Sequence, residues 1–231
     1  MALDVGSAEV ARVLGEVARL GPYFEIATGA EDGLAWEPFP GDSARLVALT
    51  GDYAQRLGTG ERRVAGSLVF QGLAARLWSP VVAAAARGIV PDLAGLRWRW
   101  APGEPIAFRL DEPSGWRVDD AAQAAALIRP MVVDGLLKPL RDAMSTFVGL
   151  ADGLVWGNAA SALAGSLNVG PPDAARRDVV RALLAREPLA GAGAFGPDGY
   201  VRRSCCLYYR VPGGGMCGDC SLLKRDDRPE M

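Results

Sequence analysis

Apolar positions recur at helical spacing along most of the chain. Between Ser7 and Leu20, the residues Val10, Val13, Leu14, Val17 and Leu20 share one face, with Ser7 as a cap and Gly21-Pro22 as the stop. A loop rich in glycine, proline and aromatics then runs to about Gly41. Two helical stretches follow, roughly Asp42 to Leu57 and Glu61 to Arg87. The second is apolar nearly all round, at Leu68, Val69, Leu73, Leu77, Val81 and Val82, which predicts a central helix kinked at Pro80. The period changes to two in Leu96–Trp100 and Ile106–Leu110, on either side of the turn residues Ala101–Pro105, and this predicts a β-hairpin. Asp119 or Asp120 caps a long helical region through Ala124, Ile128, Val132, Leu136, Leu140 and Met144, interrupted by Pro130 and Pro139. Helical patterns recur at Asp152–Leu167 and Pro172–Arg186, and glycine-rich Gly191–Gly199 reads as a linker. The pattern predicts a predominantly α (α+β) protein. A helical domain with at least one hairpin spans 1–199, and a C-terminal metal-binding segment spans 200–231.

Composition narrows the chemistry. Of 231 residues, 50% are apolar and 23% charged, enough for one large domain with a small appendage. A net charge of −2 implies no broad basic surface, so no nucleic-acid partner is expected. The chain has no histidine, which removes histidine acid–base catalysis, histidine-containing zinc sites and histidine-ligated haem. The first residues lack a basic start followed by an apolar run, so no signal peptide is expected. The longest uncharged stretch, Gly153 to Pro172, carries Asn158, Ser161, Ser166 and Asn168 and reads as a buried helix with its exit loop. A cytoplasmic protein without a transmembrane segment is expected, with a peripheral position at the inner membrane face as an alternative. The tail Lys224–Met231 reads as a solvated end.

The four cysteines, Cys205, Cys206, Cys217 and Cys220, fall within sixteen residues. Four thiolates are the ligand set of a tetrahedral zinc or of an iron–sulfur centre, and a reducing cytosol disfavours two structural disulfides. Cys217-Gly-Asp-Cys220 is a knuckle of the zinc type. Cys205-Cys206 is not, because neighbouring side chains in extended backbone point to opposite sides. A cluster with two irons accepts thiolates from more directions, so spacing favours iron–sulfur over zinc and leaves [2Fe–2S] and [4Fe–4S] both open. Gly213, Gly214, Gly215 and Gly218 let main-chain N–H groups approach sulfur, and Arg202, Arg203 and Arg210 flank the negative centre. Two literal Gly-x-Gly-x-x-Gly matches, at Gly191–Gly196 and Gly213–Gly218, lack the strand before and helix after that a dinucleotide site needs. Electrons are therefore expected from outside the chain.

The run Arg-Arg-Ser-Cys-Cys through Cys-Gly-Asp-Cys-Ser-Leu, from Arg202 to Leu222, resembles the C-terminal signature of the FhuF-type ferric-siderophore reductases. Leu154-Val-Trp-Gly-Asn158 is similar to a Trp-x-Asn stretch of the same family. The resemblance implies a [2Fe–2S] cluster on Cys205, Cys206, Cys217 and Cys220, and one-electron reduction of siderophore-bound Fe(III) to Fe(II), which releases iron. It also implies a ferric siderophore of hydroxamate type as substrate, and a ferredoxin or NAD(P)H-dependent reductase as electron donor. Trp156, Asn158, Arg202, Arg203 and Arg210 are then the candidate substrate contacts, in a cleft between the cysteine loop and the helical domain. The plainer use of Trp156 is core packing, and that of Asn158 is to satisfy a buried backbone group. Other functional classes are a zinc-stabilised helical binding module and an iron–sulfur sensor or assembly protein.

Overall fold

A computed structural model describes residues 4–29 and 33–222; the tail from Lys224 onward lies outside them. The helices are α1 (Ser7–Ala18), α2 (Ser43–Arg56), α3 (Arg62–Ala85), α4 (Ala121–Ile128), α5 (Lys138–Ser145), α6 (Asp152–Gly165) and α7 (Ala174–Leu184). Aspartates start three of them. Asp42, Asp120 and Asp173 accept hydrogen bonds from the amides of Ala44, Gln123 and Arg176 at 3.0, 2.8 and 3.0 Å. The start of α1 differs from expectation: Gly6 occupies the cap position and Ser7 is the first helical residue.

Between α4 and α5 the chain stays helical but widens into a π-helical segment, Arg129–Leu137. Pro130 opens that segment and Pro139 opens α5. A proline removes one amide donor, so the ladder shifts register where the prolines fall instead of breaking. Pro80, expected to kink α3, lies within a helix that continues past it.

The strands are short: β1 (Ala27–Thr28), β2 (Glu37–Pro38), β3 (Ile89–Pro91), β4 (Arg97–Arg99), β5 (Ala107–Leu110), β6 (Gly115–Arg117), β7 (Gly193–Gly196) and β8 (Gly199–Arg202). The expected hairpin is β4–β5, with Trp98 opposite Phe108. It is the centre of a four-stranded sheet ordered β1-β5-β4-β2, with β1 parallel to β5. Its tryptophan face is closed, because Trp98 and Trp100 are buried and Phe39 meets Trp98 edge-on at 5.8 Å. Strands β3 and β6 form a separate antiparallel pair.

The long apolar α3 is the axis of the core, packed by α1, α2, α6 and α7. It alone among the described helices is long and apolar enough to cross a membrane, but 72% of that stretch is buried inside the fold, as a core helix requires. The glycine-rich stretch read as a linker forms instead the β7–β8 hairpin, with Phe195 opposite Tyr200. Glycine spacing hid the alternation there. The 199/200 division therefore falls at the first residue of β8, and the hairpin carries the helical body directly into the cysteine segment.

Candidate metal centre

Main-chain bonds seat the cysteine segment at both ends. The Arg203 amide donates to the Ala192 carbonyl at 2.8 Å, and the Arg202 amide donates to the Asp219 carbonyl at 3.1 Å. The Cys220 amide donates to the Cys217 carbonyl at 3.0 Å and closes the knuckle turn. After the vicinal pair the chain reverses through Leu207, whose φ of 69° is left-handed. Such a conformation costs a branched residue about 1–2 kcal/mol. Here it aims the Leu207 amide at Cys205 Sγ, 3.3 Å away, while the Leu222 amide donates to Cys220 Sγ at 3.4 Å. N–H donors on sulfur are the usual outer shell of a thiolate site.

The four cysteines are unpaired by disulfide; Cys206 and Cys220 are buried, and Cys205 and Cys217 are half-buried. Cys206 Sγ and Cys217 Sγ lie 3.5 Å apart. The hydrogen bond they share, the Tyr208 amide and the Arg202 charge bring the Cys206 thiol down to about 6, against the opposing effect of burial. Cys217 moves the other way, because it shares a proton with Cys206, is buried, and faces the Asp219 carboxylate. Burial, foremost, pushes the Cys205 thiol up, and charge on Cys206 and Cys220 adds to that.

Among the described residues, no three of Cys, Asp or Glu converge at the spacing of one ion. Cys206 and Cys217 form one close sulfur pair, and four thiols without histidine are a donor set that fits an iron–sulfur centre.

A buried polar chain underlies the segment. Arg202, whose side chain is wholly buried, donates to Asp219 Oδ2 at 3.2 Å, to Asn158 Oδ1 at 2.9 Å and to the Gly157 carbonyl at 3.3 Å. Asn158 Nδ2 donates to Ser67 Oγ and to the Ser67 carbonyl, both at 2.9 Å. Ser67 Oγ donates to the Cys206 carbonyl at 2.7 Å. Removing one partner from a buried charge typically costs about 3–5 kcal/mol, so these bonds hold the segment against α3 and α6. Gly157 allows the close approach: a Cβ there would lie 1.9 Å from Ser204 Oγ and 3.2 Å from Ser204 Cβ.

A cavity of about 550 Å³ opens beside the cysteines. Leu68, Gln71 and Ala75 of α3, Ser161 of α6, and Phe195 and Tyr200 of the β7–β8 hairpin form its walls, and Cys206 and Cys217 reach it. Gln71 Nε2 donates to Ser161 Oγ at 3.2 Å. Among the described lining residues, only Asp198 and Asp219 carry charge.

The cleft between the cysteine loop and the helical body is therefore present, but its walls differ from those expected. Trp156, Asn158, Arg202, Arg203 and Arg210 are all absent from its lining. Trp156 is 9% exposed and packs in the core, Asn158 is fully buried on Ser67, and Arg202 is buried on Asp219. Trp156 and Asn158 face inward because that part of α6 packs against α3, α7 and the hairpin, and Arg202 at the end of β8 packs onto it. Arg203 is exposed, and the exposed Arg210 pairs with Glu61 at 2.9 Å. Sequence reading missed Ser67, Gly157, Gln71 and Asp219. Ser67 and Gln71 carried a faint signal, as polar positions inside an otherwise apolar helix.

Residues 202–222 match the family model described as the FhuF 2Fe-2S C-terminal domain. This segment is similar to a FhuF-type domain. No curated protein matches the chain. The domain's cofactor is a [2Fe–2S] cluster, and the match begins at the buried Arg202 and ends at Leu222, whose amide reaches Cys220. The FhuF-type segment thus coincides with the stretch seated on α3 and α6.

Proposed function

We propose that the protein is a ferric-siderophore reductase. Cys205, Cys206, Cys217 and Cys220 would hold the [2Fe–2S] cluster, which supplies one-electron transfer when bound. The observation that carries the reading is the 550 Å³ cavity reaching Cys206 and Cys217. Its size falls in the range of sites that enclose compact small molecules, and two of the four cysteines line it.

The siderophore's Fe(III) gains one electron from the reduced protein and becomes Fe(II), and an external donor, a reduced ferredoxin or a nicotinamide-dependent reductase, supplies the protein with a replacement electron. Hydroxamate oxygens are hard ligands that grip Fe(III) and hold Fe(II) far less tightly, so reduction releases the iron without cleaving the chelator. No proton has to move, which suits a chain without histidine.

The wall chemistry supports one class of chelate. Two acidic residues and no basic one among the described lining residues favour a neutral or cationic complex, as ferric trihydroxamates are, over a trianionic tris-catecholate. Apolar Leu68, Ala75 and Phe195 would pack the chelator backbone, while Gln71 and Ser161 offer hydrogen bonds.

Leu68→Trp tests the placement by filling part of the cavity. Reduction of a ferric trihydroxamate by the pre-reduced variant is expected to fall about tenfold or more, equivalent to about 1.4 kcal/mol, at unchanged cluster content and potential. Unimpaired reduction with a correctly folded variant would remove the cavity from the account.

A further inference from the structure

The bonds around Arg202 run in one direction. Arginine only donates, so the Asn158 oxygen faces it and the Asn158 amide nitrogen faces Ser67. Ser67 Oγ accepts from Asn158 and therefore points its own proton at the Cys206 carbonyl. From one buried guanidinium, a chain of donors ends on the backbone of a cysteine in the first pair. The same guanidinium holds Asp219, which lies between the two cysteines of the knuckle. Both halves of the cysteine set thus meet on Arg202, through α3 and α6.

We infer that Arg202 is a positioning residue for the [2Fe–2S] cluster: through Asp219 on one side and Asn158–Ser67 on the other, it fixes the spacing of the two cysteine pairs and sets the reduction potential. The inference rests on the cluster and is independent of which chelate is reduced. A buried charge in low dielectric acts strongly on nearby sulfur, whereas exposed charge is screened by water. Arg203 and Arg210 are exposed, whereas Arg202 is wholly buried with its partner Asp219 inside the knuckle, so burial singles Arg202 out from the three arginines that flank the cysteines. Reduction adds negative charge to a centre already bound by four thiolates, so a fixed neighbouring cation favours the reduced form. A polarised chain also strengthens each of its members, which makes Asn158 and Ser67 part of the same device.

The test compares reduction potentials and cluster content in the intact protein. Arg202→Gln keeps hydrogen-bonding capacity and removes the charge; Arg202→Lys keeps the charge and removes the fork. Arg202→Gln is expected to weaken reduction at least about tenfold, a fall of about 59 mV for a one-electron couple. Arg202→Lys is expected to recover most of that potential but to lose cluster faster on dilution, because one ammonium cannot hold Asp219, Asn158 and the Gly157 carbonyl together. Should Arg202→Gln fail to fold, Asn158→Asp carries the decision, since it offsets the charge without shortening a side chain and is expected to lower the potential in the same direction. A potential unchanged in a cluster-loaded Arg202→Gln protein, or in Asn158→Asp if that variant is needed, overturns the inference. Equal potentials in Arg202→Gln and Arg202→Lys, both shifted, overturn the charge component.

Discussion

Gly157→Val is expected to give a helical protein that retains little iron or sulfide after purification. The side chain would enter the space taken by Ser204, whose Oγ lies 1.9 Å and Cβ 3.2 Å from the position of a Cβ on residue 157. Overpacking costs about 1–3 kcal/mol where neighbours can yield. Here the branches of valine reach past that position toward Ser204 Cβ, so rotating the Ser204 hydroxyl does not clear them and the cysteine segment has to lift from α6. Lifting breaks the Arg202 contacts to Asn158 and Gly157, and with them the seat of both cysteine pairs. Gly157→Ala is a milder version, and pairing it with Ser204→Ala should restore the cluster. That double variant removes the oxygen at 1.9 Å and leaves a tight carbon–carbon contact at 3.2 Å, which small shifts can relieve. Iron and acid-labile sulfide per chain, read beside far-ultraviolet circular dichroism, check this. A fully loaded Gly157→Val protein would show that the segment does not need its seat on α6.

The second large effect is expected at Cys206. Cys206→Ser should lose most of the cluster and bleach its visible bands, more severely than Cys205→Ser. Cys206 is buried, lies 3.5 Å from Cys217, and has its carbonyl held by Ser67. Cys205 is half-buried, and the structure gives its sulfur a backbone amide from Leu207. A serine oxygen at the buried position would replace a soft ligand with a hard one and disturb the wall shared with the cavity. The absorption spectrum and iron content of the two variants decide the order. A Cys206→Ser protein with native spectrum and iron content would strike that residue from the ligand set.

Helices and the central hairpin were legible because their apolar periods are long and uninterrupted, as in Val10–Leu20 and Leu96–Leu110. The β7–β8 hairpin was not, because glycines at 193, 196 and 199 carry no side chains from which alternation can be read. The four cysteines stood out by type and clustering. What they sit on did not, because Ser67 and Asn158 are distant in sequence and meet only when α3 packs along α6. Trp156 and Asn158 were singled out as substrate contacts, but neither lines the cavity, and the residue between them, Gly157, is the surface on which Ser204 rests. A cleft beside the cysteine loop was expected, but its walls were beyond sequence reading for the same cause: they come from α3, α6, the hairpin and the cysteine loop.

Pre-reduced protein, mixed anaerobically with one equivalent of a ferric trihydroxamate and a ferrous trap, tests the central claim most directly. The account predicts that the cluster's visible bands return as one Fe(II) appears in the trap for each cluster oxidised, and that a tris-catecholate complex reacts more slowly. Bands that stay bleached while the trap remains empty, from protein carrying a full complement of iron and sulfide, would contradict it.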